Sequence, residues 1–371
     1  MRRAMAVRLE PCASPCAAAV VSVSLLAIVA AFLVAGLLLR AYGMRFPHDY
    51  VVLLHSTLGD PHGRAEVVRK TIPLLLAGIG LVVAFRAQCW NIGAEGQMLA
   101  GAIAAAGMAL FVPLPPPWML PAMFAAGALS GALCGCLPAL LRVQLGVNEV
   151  LTTLMLNYIV LYLVQWLIHG PWKGKSALGF AYTDTFPEAA WLPLLPGTRV
   201  HWPTLLLGLL LAVGVALLLS RMRLGYEIRV VGQNPEAARY TGMNFLKVLL
   251  LVMGLSGAAA GLAGVGEVAG IHHKLLGPTQ ISLGYGYTAI IVAWLARGRV
   301  LATLCTAPLM GWIFASGDVM KGTLHLPFQV VDVMNGLLLF CLIGGERLMY
   351  YRVRWERHKQ PAVPAGANPP L

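Results

Sequence analysis

Ten apolar stretches run almost the length of the chain, at residues 17–39, 72–86, 94–111, 119–141, 147–168, 203–219, 246–264, 284–296, 300–316 and 328–345. Each is read as a helix, and several are shorter than the ~20 residues that cross a bilayer untilted. Short apolar helices of this kind are tilted, broken or re-entrant, and line cavities. The polar break at 220–247, SRMRLGYEIRVVGQNPEAARYTGMNFLK, has a pattern of its own. Asn234 is a preferred N-cap, Pro235 suits the first helical position, and Gly242 supplies a stop. One short helix of about 10 Å is expected there.

Composition turns the pattern into a fold class. Of 371 residues, 58% are hydrophobic and 11% charged, with a mean hydropathy of +0.75. A water-soluble domain cannot hide so much apolar surface, so lipid is the solvent for most of the chain. The class is an all-α polytopic membrane protein of about ten transmembrane helices. The net charge of +12 does not point to nucleic acid, because no basic run is interleaved with aromatics. Arg2, Arg3 and Arg8 precede Ala17–Leu39, which is longer than a ~7–15-residue signal core and reads as a retained first helix. The seven cysteines show neither zinc spacing nor a disulfide framework.

Charge also sets the orientation. With both termini inside, 17 of the 27 Lys and Arg fall on the cytoplasmic side, including every dense cluster near a span end. The organisation is then a cytoplasmic segment 1–16, a membrane domain 17–346 with a cytoplasmic loop 220–247, and a cytoplasmic tail 347–371. The tail beyond Lys359 is rich in Pro, Ala and Gly and reads as disordered. Segments 40–71 and 169–202 lie outside, and VPLPPP at 112–117 is a rigid outer connection. Glycines at helical spacing (Gly127, Gly131 and Gly135; Gly257 and Gly261; Gly266 and Gly270) read as packing faces within one bundle.

Polar residues inside apolar stretches are the candidate chemistry. In FRAQCWNIGAEGQ, Asn91 is placed to cap a helix starting at Ile92, with Glu95 in its first turn near the positive dipole end. Asn91, Glu95 and Gln97 either border a solute path or form a cytoplasmic turn with an ordinary helix start. In GVNEVLTTLMLNY, Asn148 and Glu149 open a span and Asn157 lies two to three turns deeper, as packing glue or as a solute contact. Glu267 follows a glycine-rich run, and a carboxylate there must be paired, hydrated or protonated. His272 and His273 diverge by about 100° on a helix and do not form a metal site with it. GPWKGKS lacks the glycine spacing of a phosphate-binding loop, so the chain carries no nucleotide site of its own.

NIGAEGQ (91–97), GVNEVLTTLMLNY (146–158), GYEIRVVGQNPEAARYTGMN (225–244) and GLSGAAAGLAGVGEVAG (254–270) occur in that order. Together they resemble the permease subunits of bacterial ABC importers of the branched-chain amino acid, ribose and simple-sugar group, over roughly residues 70–346. The first two are most similar to the nucleoside-type subfamily.

The resemblance implies a translocation path bordered by Asn91–Gln97 and Asn148–Asn157. It also implies a coupling helix within 232–242 that docks on an ATPase through Gly232, Asn234, Pro235, Glu236, Ala237, Ala238, Arg239 and Gly242. Cys89 and Trp90 depart from the small and aromatic residues expected beside the first motif.

No cofactor is expected in this chain, ATP and Mg being bound by the partner ATPase. Further implied partners are a second, different permease chain and a periplasmic or lipid-anchored solute-binding protein. The implied place is the bacterial inner membrane, and the implied solute a nucleoside or simple sugar. The rival reading is an ion-coupled secondary transporter with Glu95 or Glu267 as its proton or sodium site.

Overall fold

A helix runs through the described part of each of the ten apolar stretches in the computed structural model, which describes residues 5–11, 17–40, 43–45, 47–175, 179–323, 329–348 and 351–357. In chain order the elements are β1 (Met5–Pro11), α1 (Ala17–Arg40), α2 (His48–Leu54), α3 (Pro61–Arg86), α4 (Ala94–Phe111), α5 (Pro116–Leu145), α6 (Glu149–His169) and α7 (Trp202–Arg221). There follow α8 (Arg223–Gln233), α9 (Pro235–Tyr240), α10 (Phe245–Glu267), α11 (Pro278–Ser282), α12 (Tyr285–Leu295), α13 (Thr303–Thr323), α14 (Val330–Leu348) and β2 (Tyr351–Arg357). Among the described residues, seven helices are long and apolar enough to cross a membrane, and two shorter apolar helices, Ser22–Leu38 and Val330–Gly345, add to them. The protein is a multi-pass, helical membrane protein.

The chain divides into a unit of residues 44–332 and a second of residues 1–43 with 333–371. In the second, Gly345 of α14 lies against Val23 and Ala27 of α1. There β1 and β2 pair antiparallel, with Met5 opposite Arg357 and Pro11 opposite Tyr351, a ribbon outside the spans that the sequence pattern did not announce. The tail beyond Arg357 lies outside the described residues.

The larger unit is built round α3. Its apolar window is 94% buried, as befits a helix that is hydrophobic on all sides. It begins eleven residues before the apolar stretch at 72–86. Asp60 accepts a hydrogen bond from the Gly63 N–H at 3.2 Å and Pro61 occupies the first turn, a start signal lying inside the expected outer loop 40–71. That segment also contains α2 and a π turn at His55–Gly59, so little of it is loop.

Close approach of α4, α5 and α10 forms the second part of this core. A Cβ on Gly131 would strike the Gly257 carbonyl, and one on Gly257 the Gly131 carbonyl. A Cβ on Gly261 would strike the Gly127 carbonyl, one on Gly127 the Val265 side chain, and one on Gly101 of α4 the Gly261 carbonyl. The small-residue stripes therefore let three helix backbones touch within one chain.

Charged residues gather in two cavities. Arg86, Arg229 and Arg299 line one cavity, whereas Glu66, Arg69, Arg199, His272 and Asp318 line another. The first group comes from breaks assigned to the cytoplasm. The second comes from segments that the charge pattern assigns to the outside.

Candidate functional site

The polar residues of the 85–102 region meet α6, α10 and α12 at one buried point. Chain reversal after α3 runs through Gln88 at φ +52°, and Trp90 then settles 5.2 Å from both the Phe85 and Trp294 rings. Cys89 is buried. Asn91, fully buried, donates through Nδ2 to Gln97 Oε1 and to Ser256 Oγ of α10, both at 2.9 Å. Its Oδ1 accepts from the Gly93 N–H at 2.9 Å and from Gln97 Nε2 at 3.1 Å. Asn91 thus shapes the turn before α4 and does not cap it. The helix starts at Ala94, two residues later than Ile92, with Gly93 as its N-cap.

Asn157 of α6 completes this knot. Its Oδ1 accepts from the Gly96 N–H at 2.8 Å, and its Nδ2 donates to the Ile92 carbonyl at 2.9 Å. Thr153, one turn below, accepts from the Ile92 N–H at 3.3 Å. A Cβ on Gly96 would come within 2.8 Å of the Asn157 backbone, so only glycine lets α4 and α6 approach so closely. One side chain therefore satisfies donor and acceptor groups that the start of α4 leaves without helical partners.

Glu95 does the same for a different helix. Gly284, the N-cap of α12, offers no side chain, and the Gly286 N–H donates instead to Glu95 Oε2 at 2.8 Å. The carboxylate thereby sits between the positive ends of α4 and α12. At ~1.5 Å per residue, the 11 residues of α12 make about half the length that crosses a bilayer.

Asn148 and Glu149 stay apart from the knot. Asn148 caps α6 by accepting from the Val150 N–H at 2.8 Å, and Glu149 pairs with Arg142 of α5 at 2.7 Å. Glu267 is elsewhere again, at the end of α10 and almost wholly buried, with its Oε1 lacking a hydrogen-bond partner. It lines a charged cleft of about 550 Å³ with Arg69, Lys70, Arg199, His272 and Asp318. Lys70 pairs with Asp318 at 2.7 Å, and Arg69 with Glu66 at 2.7 Å. His272 and His273 part company, because His273 adopts φ +52° and stacks on Trp191 with ring centroids 4.4 Å apart. Arg69, Lys70 and Asp318 escaped the sequence reading. Asp318 lies on α13, past the apolar stretch at 300–316, whereas Arg69 and Lys70 fall inside 40–71, a segment the sequence pattern assigns to an outer connection. The Asp60–Pro61 helix start was the signal that would have found Arg69 and Lys70.

In the polar break at 220–247, α9 has the expected limits. Asn234 Oδ1 accepts from the N–H groups of Glu236 and Ala237, both at 3.0 Å. At the other end Gly242, at φ +76°, and Met243 donate to the Arg239 and Ala238 carbonyls, both at 3.0 Å. This is the paired closure typical of a left-handed glycine stop.

Three details depart from expectation. The loop holds two helices, since α8 precedes α9. Ala238 is fully buried, pointing into the protein and away from any docking partner. Gly232 abuts the Arg86 carbonyl and Ala87 at the end of α3, a close approach within the chain. Pro235, Glu236, Ala237 and Arg239 are exposed, as is Tyr240 at 93%, a residue the sequence reading passed over.

Residues 63–343 match the family described as branched-chain amino acid transport system / permease component. A glucose ABC transporter permease protein of Haloferax volcanii is 33% identical over 88% of this chain and 88% of its own length. A nucleoside ABC transporter permease protein of Lactococcus lactis is 32% identical over 86% and 90%, and a guanosine ABC transporter permease protein of Bacillus subtilis is 29% identical over 88% and 94%. Among solved structures, PsaBC from Streptococcus pneumoniae in complex with Fab aligns at 10% identity and a TM-score of 0.46, over 79% of this chain and 95% of that one. On the family match and the full-length relatives together, the chain belongs to the branched-chain amino acid transport system permease component family.

Proposed function

We propose that this ABC importer permease subunit is one half of a heterodimeric membrane gate, moved by a separate ATPase that binds ATP and Mg and fed by a periplasmic or lipid-anchored solute-binding protein. The gate is assigned to the inner (plasma) membrane of a bacterium. The observation that carries the reading is α9, a six-residue helix stopped at both ends and exposed along Glu236, Ala237, Arg239 and Tyr240. A helix that short has little stability of its own. Its capped, rigid form on the basic side of the membrane suits docking into a partner cleft.

Movement of α9 reaches the membrane through contacts already described. α8 is pressed against the end of α3 at Gly232, and α3 runs on through the 87–93 turn into the Asn91–Gln97–Asn157 knot. A push on α9 therefore acts on the junction of α4, α6 and α12. Nucleotide need only bind the two gate states with different affinity for this to drive transport. Asn91, Gln97 and Asn157 spend their hydrogen bonds on the helix junction, so their part is to shape the path. Glu95 sets the half-helix α12, Asn148 and Glu149 fix the start of α6, and Glu267 with its charged neighbours keeps the outer approach hydrated.

The leading solute is a nucleoside, followed by a simple sugar. Support comes from the nucleoside-like motifs NIGAEGQ and VNEVLTTLMLNY and from relatives named for nucleoside, guanosine and glucose transport. Reconstitution of the chain with its cognate ATPase, second permease and binding protein should give ATP-dependent uptake of labelled nucleoside. Uptake by the chain alone, driven by an ion gradient, would overturn the importer reading. Uptake of hexose but not nucleoside would overturn the solute.

A further inference from the structure

Three arginines meet at the cytoplasmic corner of the bundle without a carboxylate among them. Arg86 ends α3, Arg229 lies on α8, and Arg299 follows α12; together they line a cavity of about 570 Å³. Two are held in place by backbone. Arg86 Nε donates to the Gly298 carbonyl at 2.7 Å, and Arg229 Nη1 donates to the Leu219 carbonyl at 2.8 Å. Those bonds use one N–H on each side chain and leave the rest of each guanidinium fork for a ligand. Among the described residues, none of the three has an acidic partner.

The walls are of another character. Leu219 and Leu301 flank the arginines, and Leu301 is 56% exposed. Directly up α7 from Ser220, at the next turns on the same face, Leu217 and Val213 are also exposed. A preoriented cationic cup at a helix end, continued by a bare apolar strip running into the membrane, has the outline of an amphiphile.

We propose that this cavity binds the headgroup phosphate of an anionic phospholipid of the cytoplasmic leaflet, with its acyl chains along α7. Guanidinium forks match phosphate oxygens in pairs. Basic pockets between spans on the cytoplasmic side are suited to anionic headgroups, each basic residue contributing roughly a fivefold preference. A free inorganic phosphate shares the charge but has no use for the apolar strip. The site is independent of the solute assignment.

The test is native mass spectrometry of the full chain, delipidated in neutral detergent and titrated with equal phosphatidylglycerol and phosphatidylcholine. Phosphatidylglycerol should be retained preferentially. Arg299→Gln should weaken that preference roughly fivefold, Arg299→Lys should keep most of it, and Lys247→Gln, outside the cavity, should leave it unchanged. Excess inorganic phosphate should fail to displace the lipid. Equal retention of the two lipids, an unaffected Arg299→Gln, or displacement by phosphate would each overturn the assignment. If Arg299→Gln instead lost ATPase association with its lipid preference intact, the cavity would belong to that partner and the lipid proposal would fall. Should Arg299→Gln not fold, the wild-type chain decides: preference must fall between about 0.1 and about 1 M salt, where the screening length shrinks from ~10 to ~3 Å. Salt-insensitive binding would sink the idea.

Discussion

Asn157 and Glu149 are both polar residues of α6, yet they do opposite amounts of structural work. Asn157 holds the Gly96 N–H and the Ile92 carbonyl inside the bundle, whereas Glu149 pairs with Arg142 near the helix start. Asn157→Leu, similar in size, should orphan both backbone groups at about 1–3 kcal/mol each. Glu149→Gln keeps an oxygen for Arg142 to donate to and should cost about 1 kcal/mol. The unfolding midpoint of the purified chain in detergent should therefore drop clearly for the first and only slightly for the second. An unchanged midpoint for Asn157→Leu, combined with lost uptake, would return Asn157 to the solute path.

The sequence could flag Asn91, Glu95, Gln97 and Asn157 as costly residues at membrane depth, because a polar group in lipid always calls for a partner. It could not name the partners. Those lie on helices up to 191 positions away, as Glu95 and Gly286 do, and only tertiary packing brings them together.

At the scale of elements, glycine spacing and capping chemistry were readable because they act over a few residues. Asn234, Pro235 and Gly242 delimit α9 as expected, and the Gly127–Gly131–Gly135 stripe packs inside the chain. What escaped was α8 and the early start of α3, both of which carry charge. α8 buries only Gly225, Ile228 and Val231, a narrow apolar stripe that hydropathy averages away. The first turns of α3 hold Arg64, Glu66, Arg69 and Lys70, which hydropathy scores as loop while Asp60 and Pro61 mark a helix.

The glycine stripe gives a sharp contrast to test. Gly131→Ala must force α5 and α10 apart, an overpacking cost of about 1–3 kcal/mol. Gly214→Ala on α7, whose added Cβ meets nothing within 4 Å, should instead stabilise by up to about 1 kcal/mol. Thermal unfolding of the two variants should shift in opposite directions. Equal shifts would mean the stripe is not a contact face.

For the whole molecule, the proposed function asks a helix of six residues to transmit force to a bundle that it barely enters. Two neighbouring alanines separate docking from seating. Ala237 faces solvent and Ala238 is fully buried beneath it. Placing an indole at Ala237 should block the approach of an ATPase without touching the core, so Ala237→Trp should lose ATPase in a pull-down and keep its unfolding midpoint. Tyr240→Ala, which removes the most exposed aromatic of α9, should weaken the same association. Ala238→Trp has no room, and overpacking of about 1–3 kcal/mol or more should unseat α9. That variant should lose both the partner and part of its stability. If Ala237→Trp and Tyr240→Ala both retained the ATPase, the exposed face of α9 would not be the point of grip. The force would then have to enter elsewhere on the cytoplasmic surface, and the route from α9 through Gly232 to α3 would carry none of it.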